Sequence, residues 1–136
     1  MNYQMNFSRL VSYDAGLPGI TVDVVISLIS NSITLKAKLD TGSTNCTFER
    51  QYGERLGLDI ESGERIRIGT PTGSFIAYRH SVTMNVLDYA LDVGVCFAED
   101  ASISRNVLGR LGLLDRVNIG LVDYEGKLYL SKYGEE

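Results

Sequence analysis

Few residues in this chain have types and spacings that could do chemistry. Asp40 heads Asp40-Thr41-Gly42-Ser43 and directly follows a segment in which apolar and polar residues alternate. An acid at the end of a strand leaves the sheet at a turn. Gly42 there lets other backbone approach, and the Thr41 hydroxyl can hydrogen-bond the loop that holds the carboxylate. A carboxylate fixed in this way suits general acid–base catalysis. Asp-Thr-Gly also arises by chance, and an Asp ending a strand ordinarily makes a turn or an Asx-type hydrogen bond. The other candidates are Cys46, Cys96 and the single histidine, His80. Neither cysteine has a nearby Cys or second His at metal-ligand spacing, so both read as free, partly buried thiols, and no metal or other cofactor is expected. A Cys-His protease would have to use Cys46 and His80, and nothing local supports it. His80 falls on the inward face of an alternating segment and reads as a core imidazole with a satisfied hydrogen bond.

The elements that must position Asp40 are mostly strands. Residues 20–28 are rich in Val and Ile, and Ser30-Asn31-Ser32 supplies a turn. Ile33, Leu35, Ala37 and Leu39 then alternate with Thr34, Lys36, Lys38 and Asp40, the period of a half-buried strand that ends at the acid. Phe48, Tyr52 and Leu56 recur every fourth residue, which predicts a short helix terminated by Gly57, with Gly53 an unfavourable insertion. Residues 66–68 and 75–79 flank Gly69-Thr70-Pro71-Thr72-Gly73-Ser74 as a hairpin with a Gly/Pro tip. Alternation continues through residues 76–86 and 91–97, around a turn at Asp88-Tyr89. Residues 106–109 predict a short strand, and 110–117, with Leu111, Leu114 and Val117, a helix of about two turns. Residues 119–122 and 127–130 predict a final hairpin. The sum is a mainly β domain with closed or strongly curved sheets and one or two short helices.

A chain of 136 residues fits one domain. Its net charge of -4, with acidic and basic residues interspersed, argues against a nucleic-acid partner. No apolar run approaches the roughly 20 residues that span a bilayer, and Met1-Asn2-Tyr3-Gln4 lacks the basic-then-apolar opening of a signal peptide. No membrane association and a cytoplasmic location are therefore expected. Asp14-Ala15-Gly16 lacks both the hydroxyl residue and the preceding apolar strand, and reads as a turn.

Three stations occur in an order that resembles the retropepsins, the single-lobe aspartic proteases of retroviruses and their cellular and bacterial relatives. Ala37 to Ser43 looks like the family's catalytic strand and loop. Ile68 to Ile76, with Gly69, Thr70, Pro71, Thr72, Gly73 and Ser74 at its centre, looks like the flap that closes over bound peptide. Asn106-Val107-Leu108-Gly109-Arg110 is similar to the apolar-apolar-Gly-Arg segment that packs beside the catalytic loop. The resemblance implies a closed acid-protease barrel over residues 20–130, with an N-terminal extension, 1–19, and a C-terminal tail, 131–136. It implies an aspartic endopeptidase with Asp40 as catalytic carboxylate and Thr41, Gly42 and Ser43 supporting it. The flap would bind substrate, and Val107, Leu108, Gly109 and Arg110 would pack the loop. Such enzymes use two carboxylates that share a proton, without metal or cofactor. This chain has one Asp-Thr-Gly, so the second Asp must come from another copy, and a homodimer acting on peptide or protein is implied.

The chain departs from the family pattern in several places. Retroviral members usually carry acidic residues just after the catalytic Gly, which pair with the Arg of the third station; here Thr44-Asn45 stand there, so the sequence names no partner for Arg110. Pro71 predicts a stiffer flap. The 48–56 helix looks more like bacterial or cellular relatives. The termini could form a different dimer interface, with Leu128-Tyr129-Leu130 a candidate intersubunit strand. The alternatives are a catalytically silent retropepsin-fold module for peptide binding or dimerisation, and a plain β-barrel with an accidental Asp-Thr-Gly.

Overall fold

Alternation in the sequence becomes alternation in burial. Strand β2 (Thr21–Leu28) and strand β3 (Asn31–Leu39) pair as an antiparallel hairpin in which Ile33, Leu35 and Ala37 are buried and Thr34, Lys36 and Lys38 exposed. The turn is Ile29-Ser30, one residue earlier than expected, with Ile29 fully exposed at φ 55°. This computed structural model describes residues 1–134.

Strand β6 (Gly73–Val86) is the spine of the barrel. Its first half pairs with β5 (Glu64–Thr70), its length from Ala77 onward with β7 (Tyr89–Ala98), and its end, Thr83 to Val86, with β2. Two short strands, β4 (Thr47–Phe48) and β8 (Val107–Leu108), fill the gap between β7 and β3. The pairing therefore runs β2-β3-β8-β4-β7-β6 and back to β2, a closed ring, with β5 continuing from β6. Val24, Ile26, Phe48, Met84, Phe97, Leu108 and Leu113 are fully buried inside it. Each such side chain contributes about 1.5–3 kcal/mol through removal from water.

A second sheet packs on this barrel. Strand β10 (Lys127–Lys132) lies between β1 (Arg9–Ser12) and β9 (Val117–Val122), and Leu128 and Leu130 bury completely in the common core. Part of the expected N-terminal extension is thus strand β1, and β10 runs into the expected tail. Both edges of β10 are occupied within the chain, so Leu128-Tyr129-Leu130 is not the free intersubunit strand the sequence offered.

The helix expectations divide. Helix α1 (Arg50–Arg55) is shorter than read, because Phe48 belongs to β4. Gly53, an unfavourable insertion by propensity, is required by packing: a Cβ there would lie 2.5 Å from Ile60 Cδ1 and 2.9 Å from the Phe97 ring. Gly57, at φ 88°, ends the helix as expected, and Asn31 Nδ2 donates to the Leu56 carbonyl at 3.0 Å. The helix expected over 110–117 does not form. The segment is a series of turns, because Gly112 takes φ 112°, outside the helical region, and its N–H donates to Asp115 Oδ1. No helix of the described residues is long and apolar enough to cross a membrane.

Candidate active site

Asp40 leaves the barrel where β3 ends, and the following loop is held from three sides. The Asp40 N–H donates to the Leu108 carbonyl of β8 at 2.9 Å, tying the acid to the barrel floor. Asp40 Oδ1 accepts from the Gly42 N–H at 2.9 Å, and the Ser43 N–H donates back to the Asp40 carbonyl at 3.1 Å. Ser43 is buried and its hydroxyl donates to the Asn45 carbonyl at 2.7 Å. Thr41 does not play the supporting part expected of it: it is exposed, and its hydroxyl makes no hydrogen bond among the described residues. Ser43, in the next turn position inward, holds the loop instead.

The third station packs directly on this loop. Arg110 N–H donates to the Ser43 carbonyl at 2.9 Å, Leu111 N–H to the Thr44 carbonyl at 2.8 Å, and Gly109 N–H to Cys46 Sγ at 3.4 Å. Gly109 has no room for a side chain, since a Cβ would lie 2.5 Å from the Ser43 carbonyl oxygen and closer still to that of Asn45. Val107 and Leu108 are buried beneath. The Arg110 side chain points outward and has no partner among the described residues. Asn45 is bound from another direction: Arg79 Nη2 of β6 donates to its Oδ1 at 2.7 Å, while Arg79 Nη1 donates to Glu64 at 3.1 Å.

Asp14, read as a turn, makes the same Asx geometry, its Oδ1 accepting from Gly16 N–H at 2.9 Å. The turn therefore does not single out Asp40; its surroundings do. Asp40 lines a cavity of about 560 Å³ with Glu49, Arg105 and Val107. Gly42 and Ser43 share a second, about 230 Å³, with Gly69, Arg67 and Arg105. Thr70, Thr72, Gly73 and Ser74 of the hairpin tip line a third, about 460 Å³, opposite Ile103 and Arg105. Pro71 is exposed at the tip and lines none of them. The β5–β6 hairpin thus overhangs the Asp40 loop. A separate concavity of about 480 Å³ around Ile29, Val93 and Arg116 contains no residue of the three stations.

Arg105, one residue before the third station, was missed in the sequence and is common to all three cavities at the site. Its Nη2 lies 3.8 Å from Asp40 Oδ2, with the side chains 29% and 42% exposed, and its Nε is buried without a partner among the described residues. The only signal available was a cation beside a segment expected to pack near the acid.

Cys46 and Cys96 are free, as expected, and are completely buried where partial burial was expected. Burial pushes the Cys46 thiol up to about 11, the opposite of what a nucleophile needs. His80 Nε2 lies 2.8 Å from the Ile60 carbonyl, the satisfied imidazole the alternation suggested. Both observations count against a Cys-His site.

No family model and no curated protein matches this sequence. Solved structures do. The chain superposes on EIAV protease complexed with the inhibitor HBY-793 with a TM-score of 0.56 at 23% identity, covering 74% of this chain and 88% of that one. It superposes on a retropepsin-like aspartic protease from Rickettsia conorii with a TM-score of 0.57 at 14% identity, covering 96% and 99%. With a closed barrel, an acid at the end of β3 and a hairpin over it, the chain has a retropepsin-like fold.

Proposed function

We propose that the protein is an aspartic endopeptidase that works as a homodimer, with Asp40 of each chain forming the catalytic pair. The observation that carries this reading is the placement of Asp40: a half-exposed carboxylate that accepts from the Gly42 N–H, on a residue whose own backbone N–H is tied to the Leu108 carbonyl, at a cavity beneath a hairpin in a retropepsin-like fold. Gly42 and Ser43 shape the loop through their hydrogen bonds to Asp40 Oδ1 and the Asn45 carbonyl, and Thr41 stands exposed between them and Asp40. Gly69, Thr70, Pro71, Thr72, Gly73 and Ser74 act as a flap that lies over an extended peptide, while Val107, Leu108, Gly109 and Arg110 pack the loop from below.

Two carboxylates brought to about 3 Å across a two-fold axis cannot both ionise, so the pair holds one proton. The ionised Asp40 takes a proton from water as that water attacks the scissile carbonyl, and the protonated one donates a hydrogen bond to the developing oxyanion. The proton then passes to the amine as the C–N bond breaks. Neither an acyl-enzyme nor a metal takes part in this scheme.

The test is digestion of a diverse peptide mixture from mildly acidic to neutral pH, beside an Asp40→Asn variant, with molecular mass followed by sedimentation. Cleavage by a dimer, reduced by about three orders of magnitude in the variant, is expected. Cleavage that survives the substitution would remove Asp40 from the mechanism. A stable dimer that binds but never cuts peptide would instead mark a silent binding module.

A further inference from the structure

Arg105 is placed to do more than sit beside Asp40. An arginine presents five N–H donors in a planar fork matched to a carboxylate. None of those donors makes a hydrogen bond among the described residues, and the sole ionic contact is the 3.8 Å approach to Asp40 Oδ2, beyond hydrogen-bond reach. The Nε atom is buried and unpartnered, so the donors that an incoming group can meet are those of Nη1 and Nη2 on a side chain 29% exposed. The neighbouring acid in the same cavity is engaged elsewhere: Glu49 Oε1 accepts from Gln51 and Oε2 from Asn106, each at 2.8 Å, and neither meets Arg105. The surrounding walls add positive charge, with Lys38 in the Asp40 cavity and Arg67 in the next, although the whole chain carries -4. A half-desolvated, donor-rich cation at the meeting of three cavities is a receptor for an anion that comes with the ligand.

We infer that Arg105 binds a substrate carboxylate, so that the site prefers peptides carrying Glu or Asp beside the scissile bond. The inference rests on the peptidase reading for its location but not for its chemistry. The incoming carboxylate takes the two-pronged contact that Asp40 does not make, and leaves Asp40 free to share its proton with its symmetry mate. Because a homodimer carries Arg105 twice, the preference is expected on both sides of the cleaved bond.

The experiment uses fluorogenic peptides of one extended sequence paired as Glu against Gln, with Lys members added, stepped through every position. Each pair is measured for kcat/KM and, by fluorescence anisotropy, for binding. The ratio within a pair cancels any change in overall activity. Wild type is expected to favour Glu by roughly tenfold or more at one or more positions, with the ratio shrinking as salt rises. Arg105→Leu is expected to bring the ratio to about one, and Arg105→Glu to turn the preference toward Lys. Ratios within about twofold at every position in wild type, or a Glu preference that persists in both variants, would overturn the inference. If no peptide is cleaved but the Glu members bind more tightly through Arg105, the peptidase reading fails while the carboxylate receptor stands.

Discussion

Asp40 and Asp14 make the same turn, and what separates them is which residues crowd the turn from behind. At Asp40 that neighbour is Gly109, whose missing side chain lets the carbonyls of Ser43 and Asn45 come against β8. Gly109→Ala is therefore predicted to destabilise the fold by about 2–4 kcal/mol and to displace the loop, read as a lower urea midpoint. Gly69→Ala, where nothing lies within 4 Å of the new Cβ, is the control and is predicted to change stability by less than about 0.5 kcal/mol. Cys46 reports on the same packing through pH. Burial holds its thiol neutral with a folded-state value of about 11 against an unfolded one of 9.0, so the unfolded chain loses that proton first as pH rises. Stability from this group is full below about pH 9 and declines toward pH 11, by about 2–3 kcal/mol in all. Cys46→Ala is predicted to flatten that alkaline limb in denaturation series at successive pH values. A limb unchanged by the substitution would show that Cys46 is not its source.

At the scale of elements, the β5–β6 hairpin is the part expected to move, since it meets the Asp40 loop across cavities and not through a packed core. Pro71 sits at its two-residue tip, between paired Thr70 and Gly73. Pro71→Gly is predicted to lower stability by about 0.4–1 kcal/mol, by widening the unfolded ensemble, and to raise KM while changing kcat. Steady-state kinetics on a cleaved peptide reads the second effect; both constants unchanged would deny the hairpin a part in substrate binding. The strands were legible because their side chains alternate: Ile33, Leu35 and Ala37 inward, Thr34, Lys36 and Lys38 outward. The segment at 110–117 misled because Leu111, Leu114 and Val117 have helical spacing, whereas Gly112 takes φ 112° at a place where a Cβ would lie 3.2 Å from Cys46 Sγ, a neighbour distant in sequence. The position of Gly53 is legible only once Ile60 and Phe97 are seen to press on it. Within the candidate site, Asp40, the hairpin and Gly109 announced themselves as motifs, whereas Arg105 belongs to no motif and depends on where the 99–106 loop falls. The hold of Arg79 on Asn45 is likewise a contact between residues 34 apart, which no local pattern shows.

At the scale of the molecule, one chain carries one Asp40, and a mechanism that needs two carboxylates needs two chains. The barrel closes on itself through β2 and β6, and β10 is paired on both edges, so the proposed dimer would use surfaces outside these pairings. Among the described residues the outer edges of β1 and β9 are unpaired in the three-stranded sheet, and Leu10 and Leu121 on those strands are about half exposed. Whatever surface is used, a shared site has a signature that a self-sufficient chain lacks. When wild type and Asp40→Asn are mixed in equal amounts and allowed to exchange, random pairing leaves about a quarter of the dimers with two Asp40 residues, whereas independent chains would leave about half of the sites intact. Activity per mole of total protein is therefore predicted to fall to about a quarter of the wild-type value. Dilution gives a second handle, since specific activity should decline as the dimer dissociates and recover on concentration. A mixing curve linear in the wild-type fraction, at a concentration where sedimentation shows dimers exchanging, would mean that each Asp40 acts without its symmetry mate, and the two-carboxylate mechanism would have to be given up.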